Sequence, residues 1–137
     1  MLELELAKRE LMKGNFSCVL VKDGEVCYTS VEKGIKPLML PLIHDKSIFQ
    51  NMVLADKVIG KAAALLIVFS SIQMVFAETI SSEAKKIFEE NNIMYEYEEE
   101  VPYIYNRVKS DMCPIEKLVK NTNNPQEAFQ LIKEFLL

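Results

Sequence analysis

The sequence predicts an α/β protein folded as a three-layer α/β/α sandwich around a mixed central sheet. Three observations carry that prediction. Two β-rich runs flank Asp23-Gly24, the signature of a tight hairpin. Helix-like and strand-like segments then alternate along the chain, which favours a sheet covered by helices on both faces. Finally, residues 56–69 are apolar nearly all round, as befits a central helix packed against that sheet.

Each element follows from its residues. Over 2–13, Leu2, Leu4, Leu6, Leu11 and Met12 stand among good helix formers, and Gly14 is a natural stop, so a helix is expected. The runs around Asp23-Gly24 form the hairpin; a two-residue loop pairs Lys22 with Glu25 and Leu20 with Cys27, which puts Cys18 and Cys27 diagonally on one face. Residues 34–54, with Pro37 and Pro41, read as a short helix and an irregular connection. Asp56 is the expected N-cap of a helix running to about Phe69. A strand follows over 72–78, then a helix from Ile80 or Ser81 through Glu90, stopped by Asn91-Asn92. Residues 93–98 read as another strand and 102–105 as a further short one. Helices over 114–120 and 125–135 close the chain.

Composition narrows the function classes. The 137 residues form one domain, 1–137, half of it hydrophobic, with a net charge of −4 at pH 7. That charge argues against nucleic-acid binding, which needs a basic surface. The acidity concentrates in Glu96 to Glu100, read as a solvated strand end. No membrane segment is expected, because the longest apolar run is interrupted by Gly60 and Lys61 and is too short to span a bilayer. The N-terminal residues lack a signal core. Three cysteines without CxxC spacing point to a reducing cytoplasm. One histidine and scattered cysteines offer no zinc site, so neither metal nor cofactor is expected.

Four stretches can carry chemistry. Gly60-Lys61 opens an apolar segment, where a cation is unfavourable unless something anionic meets it. The phosphate-loop pattern fails at Ala55 and Ala62, yet a glycine, a lysine and a helix start can together hold an anion. The alternative is that Lys61 reaches solvent or pairs with Asp56 or Glu78. In the second stretch, Pro114 suits the first turn of a helix, which makes Cys113 the N-cap and places Glu116 as the acid of a capping box. A thiol there gains thiolate stabilisation, and nearby Asn106 and Arg107 can bind a carboxylate or phosphate. A half-buried structural cysteine is the plainer alternative. Third, Glu78 and Thr79 lie at a strand exit, where α/β proteins collect ligand sites; Glu78 equally serves to stabilise the next helix. The fourth candidate, His44, lies in a Pro-bounded loop, and a dyad with Cys113 would require long-range coincidence.

The blocks ADKVIGKAAALL (55–66), AET (77–79), PYIYNR (102–107) and MCPIE (112–116) resemble a family of small prokaryotic proteins known only as a domain of unknown function. The resemblance implies a cytidine-deaminase-like fold. Zinc deaminases open one central helix with H-x-E and the next with P-C-x-x-C. With the first helix opening at Asp56-Lys57-Val58 and the second near Thr79 to Glu83, neither pattern is present. The resemblance still implies that both helix starts converge on one pocket, lined by Asp56, Lys61, Glu78 and Thr79.

The leading expectation is a small-molecule-binding protein without zinc catalysis. Its site residues are Cys113 and Glu78 for chemistry, and Asp56, Gly60, Lys61, Thr79, Asn106 and Arg107 for an anionic or nucleotide-like ligand. The same expectation extends to a Cys-dependent enzyme with Cys113 as nucleophile. The competing class is a non-catalytic regulatory or interaction module, using residues such as Met39, Tyr103 and Tyr105, and a homo-oligomer is compatible with either.

Overall fold

The strand order β2-β1-β3-β4-β5 defines a five-stranded mixed sheet. The computed structural model describes residues 2–105 and 111–137. In chain order the elements are α1 (Leu2–Lys13), β1 (Cys18–Lys22), β2 (Glu25–Ser30), α2 (Lys36–His44), β3 (Val53–Ile59), α3 (Lys61–Phe69), β4 (Met74–Ser81), α4 (Ser82–Glu90), β5 (Met94–Val101), α5 (Pro114–Leu118) and α6 (Pro125–Leu136). β1 pairs antiparallel with both β2 and β3, whereas β3, β4 and β5 run parallel.

Alternation along the strands divides the core into two layers. Val19, Val21, Val53, Ala55 and Phe76 face α1, which presents Leu4, Ala7 and Leu11 at helical spacing. Cys18, Leu20, Leu54, Val75 and Ala77 face the opposite way, into a larger core with α2, α3, α4 and α6. Every residue of α3 from Lys61 to Ile67 is buried, as its all-round apolarity predicts. The result is the α/β/α sandwich with a mixed sheet.

Several local expectations are corrected. The predicted helix from Asp56 is instead β3 followed by α3, with Gly60 between them in an extended conformation (φ −101°, ψ −170°). Val53 to Ala55 are all buried and Val58 is apolar although exposed, so the run shows no clean polar alternation and its period cannot be told from that of a buried helix. Asp56 is therefore a strand residue, and the N-cap of α3 is Gly60. Hence α3 opens with Lys61-Ala62-Ala63 rather than Asp56-Lys57-Val58.

In the hairpin, Lys22 pairs with Glu25, but an irregularity between Leu20 and Val21 shifts the register so that Leu20 meets Tyr28. Cys18 ends up buried while Cys27 is exposed, and both are free thiols. β4 runs on to Ser81, past the expected exit at Glu78, and the Ser81 hydroxyl then accepts from Ala84 N at 3.1 Å to cap α4. Residues 102–105 add no strand; Tyr105 makes an isolated bridge with Met112. Met39, named above as an interface residue, is fully buried, whereas Tyr105 is exposed.

Candidate functional site

Two clefts lie beside the start of α3, and the Glu116 side chain lines both. The reason lies in the helix itself. α3 has no acid in its first turn and no side-chain cap, so its first N–H groups need an acceptor from elsewhere. Glu116 supplies it across 55 residues of sequence. Lys61 N donates to Oε1 at 2.8 Å, and Ala62 N donates to Oε2 at 2.7 Å. A carboxylate at that position also answers the helix dipole.

The capping-box role expected for Glu116 in its own helix is thus replaced by a cap on α3. Cys113 N, the group such a box would satisfy, donates to Ile104 O at 2.8 Å. Burial pushes the Glu116 carboxyl above its usual range; the two N–H donors and the Lys61 charge partly offset this. Gly60 is required by the same contact, because a Cβ there would overlap Glu116 Oε1 and lie 2.7 Å from Ile104 Cγ1.

Lys61 itself is 8% exposed, and its Nζ donates to the main-chain oxygen of Lys120 at 3.1 Å. Its amine faces the smaller cleft, about 270 Å³, together with Ser81, Glu83 and Tyr103. The starts of α3 and α4 do meet here. The larger cleft, about 870 Å³, lies on the other side of Glu116, between the segment after β2, the end of β3 and the Cys-Pro turn. Asp56, Gly60 and Cys113 line it, with Ala62, Ala63, Ile104 and Ile115 as apolar walls. One shared pocket is therefore corrected to two, since Glu116 separates the amine of Lys61 from the thiol of Cys113.

Asp56 stands out in the larger cleft. It is half-buried, on the strand face that also carries Leu54, opposite Cys18. Desolvation pushes its carboxyl up to about 7, while main-chain N–H groups of Val58 and Lys57 partly counter the shift. The Val58 contact is long, 3.5 Å. A carboxyl that titrates near neutrality inside a cleft is suited to proton transfer or to meeting a charged ligand.

The remaining expected site residues are dispersed. Glu78 and Thr79 are half-buried within β4 and line neither cleft; the Thr79 hydroxyl bonds Glu99 on β5 at 3.4 Å. Asn106 and Arg107 lie outside the described residues. Cys113 is half-buried at the start of α5 and makes no side-chain cap bond. Glu116 was the residue sequence reasoning misplaced. Its signal was an apolar helix that opens on glycine and lysine with no acceptor of its own.

No helix among the described residues is long and apolar enough to cross a membrane. Among curated proteins none matches the chain. In structure, the chain is similar to a DUF1893 family protein (TM1506) from Thermotoga maritima, solved as a crystal structure, with 26% identity and a TM-score of 0.87. That likeness covers 96% of this chain and 88% of the other. The family model described as a domain of unknown function (DUF1893) matches residues 6–136, and the chain belongs to that family.

Proposed function

We propose that this protein binds a small molecule in the larger cleft, on a deaminase-like scaffold that works without zinc. The observation that carries this reading is Asp56, a carboxyl raised to about 7 that lines a cleft of about 870 Å³ with apolar walls. Ligand sites commonly combine such walls with a few convergent polar groups. The cleft also lies beside the C-terminal end of β3, where open α/β sheets place their ligands. Zinc chemistry of the deaminase type would need a ligand side chain and a glutamate at the opening of α3, where Lys61, Ala62 and Ala63 stand.

Thermal-shift screening with nucleosides, sugar phosphates, carboxylates and amines tests the reading, with hits mapped by amide NMR. Stabilising compounds should move the resonances of Gly60, Ala62, Ala63 and Cys113. Hits that map elsewhere, or an absence of hits, would overturn it.

A Cys-dependent reaction is the second reading, favoured because Cys113 lines the same cleft as Asp56. In a Cys27→Ser background, Cys113 should react with iodoacetamide faster than glutathione does at pH 7. Equal or slower alkylation removes the nucleophile.

A further inference from the structure

The larger cleft is lined by three acidic residues, Glu32, Asp56 and Glu116, against two lysines, Lys33 and Lys57. The natural anion position, the first N–H groups of α3, is already filled by the Glu116 carboxylate. The amine of Lys61 is turned into the other cleft. Lys33 and Lys57 lie along the larger cleft, yet among the described residues neither stands within ion-pair distance of Asp56. Among the described residues, the Asp56 carboxyl meets main-chain N–H groups of its own strand and no side-chain donor. Ionising it therefore leaves a poorly compensated charge in a cleft whose lining includes Ala62, Ala63 and Ile115, and a cation that brings its own N–H donors would supply the missing partner.

We propose that the larger cleft selects a cationic nitrogen head group, an amidinium or ammonium borne on a ring-sized apolar body, with Asp56 as its counter-ion. This rests on the cleft being the ligand site. A planar amidinium can donate two parallel N–H bonds to one carboxylate, while the apolar body covers the alanine and isoleucine walls. Such a ligand stabilises the charged form of Asp56, so binding releases a proton wherever the free carboxyl is protonated. The titratable groups that pair with Asp56 or share its cleft are Cys18 of β1, Glu32 and Lys33 after β2, Tyr105, Cys113 and Glu116, with Lys57 next to it on β3.

The test uses three probes with one ring and three charges: benzamidine, benzamide and benzoate. Each is titrated into the full chain at pH 8 and pH 6 and followed by amide NMR. Benzamidine should bind about tenfold more tightly than benzamide at pH 8, with benzoate weakest. Its affinity should fall about ninefold at pH 6, because a carboxyl titrating near 7 goes from roughly nine-tenths to one-tenth ionised. Asp56→Asn should bring benzamidine and benzamide within twofold of each other; the pH comparison on the unaltered chain stands even if that variant folds poorly. Cleft binding with benzamide or benzoate equal to or tighter than benzamidine overturns the cation preference and leaves the ligand cleft intact. A benzamidine preference that survives Asp56→Asn overturns the role of Asp56. Failure of all three to move any cleft resonance overturns both.

Discussion

Gly60→Ala tests how tightly the two halves of the site are joined. Alanine accepts the backbone conformation of Gly60, so any cost must come from contacts. The added Cβ overlaps Glu116 Oε1 and lies 2.7 Å from both Glu116 Cδ and Ile104 Cγ1. Glu116 must withdraw, which strands the N–H groups of Lys61 and Ala62 in a buried setting. At about 1–3 kcal/mol per unsatisfied buried donor, the expected loss is about 4 kcal/mol. That corresponds to a fall in Tm of roughly 10–15 °C for a domain of this size.

Urea unfolding of the wild type, Gly60→Ala, Glu116→Ala and the double variant provides the assay. Glu116→Ala removes the same acceptor, so in its background Gly60→Ala should add about 1 kcal/mol, the low end of an overpacking cost, from Ile104 alone. The coupling is then on the order of 3 kcal/mol. Gly14→Ala is the control, since its Cβ would meet Phe16 at an ordinary 3.5 Å. A Gly60→Ala cost that is as large without Glu116 as with it would refute the reasoning. A harmless Gly60→Ala in the wild type would do the same.

Other expectations follow from single groups. Asp56 has its folded pKa raised to about 7 from an unfolded value of about 3.9, so the fold binds its proton more tightly than the unfolded chain does. The stability this contributes is complete below about pH 4 and is lost as pH rises through about 7. Asp56→Asn should therefore gain on the wild type by about 2–3 kcal/mol between pH 5 and pH 8 in urea unfolding; a constant difference would contradict the shift. Ser81→Ala and Asn124→Ala each delete an N-cap, to Ala84 N at 3.1 Å and Glu127 N at 2.9 Å, and should each cost about 1 kcal/mol in chemical denaturation. Iodoacetamide followed by peptide mapping should label exposed Cys27 in the native protein. Cys18, whose thiol burial and then the Asp56 charge push far above its usual range, should be labelled only after unfolding.

The elements that announced themselves in sequence are those whose ends are set by local chemistry. Asp23-Gly24 makes its turn with both residues at positive φ. Ser81 and Asn124 cap the helices that follow them, and Asn91-Asn92 end α4 with Asn92 in the left-handed region. Of the apolar positions expected in α1, Leu4 and Leu11 are buried, whereas Leu2 and Met12 are exposed and Ala7 completes the buried stripe. Each of these choices is made within a few residues, so a linear reading recovers it.

What only the tertiary structure decided involves partners far apart in the chain. Whether Val53–Ile59 is strand or helix depended on neighbouring strands β1 and β4, because a run with three buried residues at one end and an exposed valine near the other carries no clean polar period. The hairpin register turned on an irregularity at Leu20/Val21 that a count from the turn cannot see. The proton affinity of Asp56 came from the desolvation that the assembled fold imposes on it, which its sequence neighbours do not show. Above all, Glu116 met the start of α3 across 55 residues, and that one carboxylate divided the expected pocket into two. Desolvation and the demand of buried N–H groups for an acceptor act through space, and a sequence records them only as an unexplained glycine before a lysine.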